Sequence, residues 1–299
     1  MIRYSKLGYV ALNVPNLARA RGWYEQVCGL QYNGAGSTGE LYFRTGTDHH
    51  SIALHEAQAP GLKRIGWELE DDTQLDVVAR VLDSHGVKWR AMNDDECRAV
   101  HVRKGLRMRE PITGATMDCY PKAMGQQEDP YIPAVVKMRH LGHVVLGTPH
   151  YREALDFYHK VLNFKTSDEI DGRISLMRCF PNPYHHSFGI AHADRNTLHH
   201  VNFMVSDEDD LARARVRFAA NDVPVVWQGH HPPSGNTFLF FLDPDGLSLE
   251  YGYGMELFPE ENPRPPRVFQ PRPESFDSTG AERDARVASC GEIETAEAL

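Results

Sequence analysis

An α+β fold of two tandem domains is the architecture that this 299-residue chain predicts, on three observations. The length suits two units of about 150 residues each. The apolar pattern switches between strand-like alternation and helical spacing, in the order strand, helix, strands. That order occurs four times, and its pieces recur in matched pairs, so each half holds two similar modules.

The first module opens with Leu7 to Val14, where apolar and small residues alternate as in a strand. Pro15-Asn16 then starts a helix. Asn16 is a suitable N-cap, and Leu17, Ala20, Trp23, Tyr24 and Val27 follow at helical spacing until Gly29. Strands are expected around Leu41–Phe43 and Ser51–Leu54. The second module begins at Ile65-Gly66-Trp67-Glu68-Leu69 and continues in a helix from Thr73 to Ser84, stopped by Gly86. Strands near Val87–Trp89, Val100–Val102 and Thr116–Tyr120 complete it.

The second half repeats the first. Leu7-Gly8-Tyr9-Val10-Ala11-Leu12 recurs as Leu141-Gly142-His143-Val144-Val145-Leu146. The helix after Pro15 recurs after Pro149, and the helix of residues 73–84 recurs between Asp207 and Asn221. Leu62 to Trp67 recurs as Leu198 to Phe203, and Gly114 to Asp118 as Gly246 to Glu250. The expected boundaries are residues 1–130 and 131–254, with the join near Gly125–Pro133. Residues 255–299 differ in kind: six prolines fall between Pro259 and Pro273, and ten acids against five bases leave a net −5 of the chain's −9. An extended arm with a short terminal helix is expected there.

Bulk properties narrow the function. With 41% hydrophobic and 24% charged residues, the composition is that of an ordinary globular protein. No run of about 18 apolar residues exists, so no membrane span is expected. Met1-Ile2-Arg3-Tyr4-Ser5-Lys6 lacks the layout of a signal peptide, which favours a cytoplasmic location. Cys28, Cys97, Cys119, Cys179 and Cys290 are scattered without a CxxC pair, which argues against a disulfide framework or a structural zinc knot. A net −9 with no basic run makes nucleic acid an unexpected partner. Sixteen histidines are many, and eight stand in pairs: His49-His50, His185-His186, His199-His200 and His230-His231.

The repeat allows the two halves to be compared with each other. His143 stands where the first half has Tyr9, His200 where it has Arg64, and Glu250 where it has Asp118. Arg64 is a cation and no ordinary metal ligand. A metal site built from these positions therefore belongs to the second half alone. Each residue taken singly also fits a bland role, His143 as a packed core histidine and His185-His186 as a polar pair at a strand start. Strand alternation sends only one of His199 and His200 inward, and His200 shares its face with Asn202. Two imidazoles and one carboxylate, arranged facially, suit iron(II) and oxygen chemistry. No HExxH helix motif of a zinc hydrolase is present, and imidazole is a poor ligand for calcium.

The segment Gly229-His230-His231, seven residues, Leu239-Phe240, two residues, Asp243-Pro244, Gly246, three residues, Glu250 carries a family signature. Through it, and over residues 5 to 254, the chain resembles the type I extradiol ring-cleavage dioxygenases of the vicinal oxygen chelate (glyoxalase–bleomycin resistance) superfamily, in particular the two-domain dihydroxybiphenyl and catechol 2,3-dioxygenases. One element departs: Phe240 stands where the family has tyrosine. The resemblance implies that each domain is an open mixed-sheet barrel of two βαβββ modules around a cavity. It implies His143, His200 and Glu250 as ligands of Fe(II), with Mn(II) as the alternative metal. His186, fourteen residues before His200, matches the family's acid/base histidine, and a pKa near neutrality would suit that role. His231 matches the histidine that hydrogen-bonds bound oxygen or substrate. Val145, Phe240, Asn236 and Tyr251 are the expected substrate-binding residues, Asn236 and Tyr251 as replacements for the missing tyrosine hydroxyl. The implied reaction is extradiol cleavage of a catechol-type aromatic with O2, in aromatic catabolism, by a homo-oligomer. Two alternatives are a different metal-dependent reaction of the superfamily (isomerase, lyase or hydroquinone cleavage) and a metal-free binding or resistance protein.

Overall fold

The computed structural model describes residues 1–129, 131–288 and 291–295. Pro130 of the expected join, Cys290 and the last four residues of the arm lie outside them. The first half runs β1 (Tyr4–Val14), α1 (Leu17–Gln26), β2 (Gln31–Ala35), β3 (Leu41–Arg44), β4 (Ile52–Glu56), β5 (Gly61–Leu69), α2 (Gln74–Ser84), β6 (Trp89–Ala91), α3 (Asp94–Ala99), β7 (Leu106–Arg109) and β8 (Thr116–Tyr120). The second half runs β9 (Met138–Thr148), α4 (Tyr151–Lys160), β10 (Phe164–Ile170), β11 (Ile174–Cys179), β12 (Phe188–His192), β13 (Thr197–Val205), α5 (Asp209–Ala219), β14 (Val225–His231), β15 (Asn236–Leu242) and β16 (Ser248–Tyr253). The arm adds β17 (Arg267–Phe269), α6 (Pro273–Phe276), a 3-10 turn at Ala285–Ala288 and β18 (Glu292–Ile293).

Each half forms one mixed sheet, and the strand orders match. The first is β2-β3-β4-β1-β5-β8-β7-β6 and the second β10-β11-β12-β9-β13-β16-β15-β14. In both, the two modules meet at a central antiparallel pair, β1 with β5 and β9 with β13. Each central strand also has a parallel neighbour from its own module. The end strands of each sheet do not pair with one another, so both sheets are open. The arm extends each: β17 runs beside β10, and β18 beside β5.

Local chemistry accounts for the elements. The Asn16 side chain accepts from the Arg19 backbone N–H and starts α1. Gly86, with φ 66°, follows the end of α2. The expected strand at Val100–Val102 is a correction. Asn93 and Glu96 form a capping box that starts α3, and Val100 is its C-cap. The strand that follows lies later, at β7.

One continuous apolar core runs through both halves on one face of the sheets. Trp67 and Tyr4 of the first half pack edge-on against Phe164 of the second at 4.9 and 5.3 Å. The Tyr24 hydroxyl donates to Asp243 across the same boundary at 2.9 Å. The opposite faces differ. In the first half, Tyr9, Tyr42, Val100, Val102 and Tyr120 fill the space, with Cys97 and Val100 brought in by α3 and its C-cap. The second half has no counterpart of α3 between β14 and β15, only the turn from Pro232 to Gly235, and a cavity of about 680 Å³ remains. No helix among the described residues is long and apolar enough to cross a membrane.

Candidate metal centre

Three neighbouring strands bring His143, His200 and Glu250 to one end of this cavity. Their register is tight: Asn202 on β13 lies opposite His143 on β9 and beside Glu250 on β16. The His143 and His200 Nε2 atoms lie 3.0 Å apart, and Glu250 Oε2 lies 3.0 and 3.2 Å from them. All three side chains are buried. Metal–ligand bonds of about 2.1 Å at right angles put neighbouring donors ~3.0 Å apart, whereas tetrahedral angles give ~3.4 Å. The donor set thus fits one octahedral face of a divalent ion with three positions left over. Burial pushes the His143 imidazole down to about 4, against the pull of Glu250, which favours the neutral ring that a metal ligand must be. Burial alone would raise Glu250, but His143 and His200 outweigh it and hold the carboxyl well below its usual range.

The corresponding positions of the first half are closed. The Tyr9 hydroxyl donates to Asp118 at 2.6 Å, and Arg107 grips the same carboxylate at 2.7 and 2.8 Å. Arg107 lies opposite Asp118 in the ladder as Phe240 lies opposite Glu250. A guanidinium therefore occupies the side from which the second half leaves its carboxylate open.

Around the centre, the cavity is lined by Val145, His186, His199, His231 and Phe240. The His186 ring packs on His143 with centroids 4.0 Å apart. Burial holds its imidazole well below the ordinary value, which differs from the near-neutral expectation. His231 donates from Nδ1 to the Phe276 carbonyl of the arm at 2.5 Å and stacks on Phe238. Its Nε2 is left 4.0 Å from Glu250 Oε1. Phe240 stands edge-on to His200 at 4.9 Å.

Two expected substrate residues are placed elsewhere. Tyr251 is a correction: strand alternation turns it away from Glu250 into the main core, where its hydroxyl donates to the Cys28 carbonyl of the other half. Asn236 is fully buried behind Glu250, with Nδ2 3.5 Å from Oε1 and Oδ1 held by Ser234, and it does not line the cavity. Other residues escaped the sequence pattern. A register shift between Leu198 and His200 breaks the alternation, so His199 also reaches the cavity and its Nδ1 lies 2.7 Å from His200 Nδ1. The arm forms part of the wall through Pro271, Arg272, Phe276 and Asp277. Asp277 accepts from the His230 backbone N–H at 2.9 Å, an approach that requires Gly229, where a Cβ would lie 2.2 Å from the carboxylate. Prolines and net charge marked the arm but carried no sign of where it docks.

A larger depression of about 820 Å³ lies outside, between Val226 and Asp284. Among the described residues, no cluster of metal-ligating side chains lines it.

The sequence profile of the Glyoxalase/Bleomycin resistance protein/Dioxygenase superfamily matches residues 6–101 and 140–251. The chain is 25% identical over 280 residues to a biphenyl-2,3-diol 1,2-dioxygenase of Sphingomonas paucimobilis, covering 87% of this chain and 92% of that one. It is also 25% identical, with the same coverage, to a 1,2-dihydroxynaphthalene dioxygenase of Sphingobium xenophagum. The solved structure of BphC, described as a halotolerant catechol dioxygenase, superposes with a TM-score of 0.82 at 23% identity, over 90% of this chain and 92% of that one.

Proposed function

The chain belongs to the Glyoxalase/Bleomycin resistance protein/Dioxygenase superfamily, and from that premise we propose that it is an extradiol dioxygenase that cleaves a catechol-type aromatic diol with O2. One observation carries this reading: two imidazoles and a carboxylate converge at facial spacing beside a cavity of about 680 Å³. The relatives' activities on vicinal aromatic diols support it. His143, His200 and Glu250 would hold Fe(II), or Mn(II), which takes the same ligands. The ion would supply Lewis acidity toward both diol oxygens and electrons toward oxygen.

The remaining residues divide the work. His186 accepts a hydroxyl proton from the diol and later returns it. His231, pinned at Nδ1 by the arm, presents Nε2 to the space beside Glu250. Val145, Phe240 and an apolar wall from Ile170, Ile174 and Leu176 hold the ring and exclude water. Domain limits of 1–130 and 131–254, with the second domain as the catalytic one, belong to the same proposal, and the division of strands β1–β8 and β9–β16 between two sheets supports them.

The test is oxygen uptake after anaerobic loading with ferrous ion, across a panel of catechols, naphthalene diols and biphenyl diols. Uptake with a yellow product that carries both oxygen atoms by mass is expected. His186→Ala should retain metal and lose about 10²–10⁴-fold in kcat. Metal-loaded protein with no uptake across the panel, or a product without added oxygen, overturns the reading.

A further inference from the structure

Behind His186, away from the cavity, lies a buried polar chain. His186 Nδ1 is 3.0 Å from His185 Nδ1, and His185 Nε2 is 2.8 Å from Asp168 Oδ2. All three residues are buried. We propose that Asp168 and His185 are positioning residues that fix the tautomer of His186, so that Nδ1 carries its proton and Nε2 keeps a free lone pair. This rests on His186 being the acid/base group.

The direction of the chain follows from its far end. Asp168 accepts both Nη atoms of Arg264 at 2.9 Å and Arg267 Nη2 at 2.6 Å, so it is ionised and can only accept. Burial alone would raise its carboxyl, but His185, Arg267 and Arg264 outweigh burial and hold it below the usual range. His185 Nε2 must therefore be the donor, since two lone pairs at 2.8 Å would repel. A neutral His185 then offers an acceptor at Nδ1, and the proton between the two rings belongs to His186. Neutrality of His185 is favoured by the balance of charge around it: the carboxylates of Asp168 and Glu256 face the guanidiniums of Arg264 and Arg267. Burial works in the same sense. Asp168, His185 and Glu256 also lie close enough together to suggest a second metal site. The two arginines already occupy their carboxylates, which makes the cluster an ion-pair network.

The first half supplies a comparison. His49-His50 occupies the repeat position of His185-His186, and its Nδ1 atoms lie 3.1 Å apart. Near the place of Asp168 on the matching strand is Asn33, which donates to the His49 backbone carbonyl and leaves the ring alone. The carboxylate end of the chain, like the metal-ligand set, is confined to the half with the cavity.

The step served is a plain proton transfer. A diol O–H bond breaks and leaves its electron pair on oxygen. The His186 Nε2 lone pair takes the proton, and the imidazolium keeps its Nδ1–H bond to His185. With an amide in place of Asp168, the chain inverts: Asn NH₂ donates to His185 Nε2, His185 Nδ1–H donates to His186, and Nε2 of His186 carries the proton from the outset. An amide in place of the carboxylate of a catalytic triad has the same consequence.

The experiment is 15N-histidine NMR of the full chain loaded with Zn²⁺ as a diamagnetic ion, with His186 identified from the pattern missing in His186→Ala. The wild type and His185→Gln, whose amide can accept from His186 and donate to Asp168, are expected to show His186 protonated at Nδ1. Asp168→Asn is expected to show Nε2 protonation, and His185→Phe a loss of the fixed Nδ1 pattern. His185→Phe leaves the pairing of Asp168 with the two arginines in place, which separates tautomer control from docking of the arm. In the ferrous enzyme, Asp168→Asn and His185→Phe should lower kcat by about 10²-fold or more with KM changed less than threefold, while His185→Gln recovers to within about tenfold. An unchanged His186 pattern in both His185→Phe and Asp168→Asn, or Nε2 protonation in the wild type, overturns the proposal. The NMR result stands whether or not any diol is cleaved, so failure of the proposed reaction would be seen separately.

Discussion

Phe240 shows how one atom sets the terms of a site. Its ring stands over His200 and stacks beside Trp227, and it carries no hydrogen-bonding group where the resembling family has a phenol. A hydrogen bond to a charged oxygen is worth about 1.5–3 kcal/mol. Phe240→Tyr should therefore raise kcat/KM for a simple catechol by about tenfold or more, without changing metal content. Steady-state oxygen uptake measures this, and an unchanged value would show that the ring does not face the diol oxygens. Tyr251 makes the opposite point: one residue beyond Glu250, it belongs to the core and ties the second half to Cys28.

At the scale of elements, the arm is the decisive segment. Arg264 and Arg267 lock onto Asp168, Phe276 fixes His231, and Asp277 caps the approach to Gly229. Asp168 and Asp277 are both held below the usual carboxylate range: burial opposes this in each, and hydrogen bonds to the ionised form prevail. A carboxyl depressed in the folded state binds fewer protons there than when unfolded. Its stabilising contribution is complete above an ordinary pKa of about 4 and is lost as pH falls through the folded value. The arm should therefore loosen in acid. Hydrogen exchange followed by mass spectrometry, corrected for intrinsic rate, should show protection over residues 263–284 constant from pH 8 to 5 and falling below about pH 4. Protection that falls between pH 8 and 6 would contradict these ion pairs as the fastening.

At the scale of the molecule, two copies of one fold have taken different roles. The first closes its concave face with α3, Tyr42 and the Arg107–Asp118 pair; the second leaves its face open. Metal should consequently act through one half only. A ligand present at 100 times its Kd stabilises the folded state by about 2.7 kcal/mol. Ferrous or manganous ion should raise the wild-type Tm by roughly 5–10 °C, and Glu250→Gln should abolish the rise. Asp118→Asn should lower the starting Tm, because it leaves a buried guanidinium with a weaker partner, yet keep the full rise. Thermal melts with and without metal decide this, and loss of the rise in Asp118→Asn would place metal in the first half as well.

The sequence by itself determined the duplicated strand–helix–strands order and the asymmetry of His143, His200 and Glu250 against Tyr9, Arg64 and Asp118. Periodicity and internal repetition are local properties of the chain, so they can be read along it. The strand expected at Val100–Val102 failed because the Asn93–Glu96 capping box prevailed over a short apolar run. Inward placement of His199 was hidden because a bulge interrupts alternation without altering composition. Only the tertiary structure decided that the arm walls the cavity, and that Asp168 stands behind His185. The arm's contacts with Asp168, through Arg264 and Arg267, join residues 96 and 99 positions apart, and a pairing of that span depends on how whole strands and the arm come together, which leaves no periodic trace in the chain.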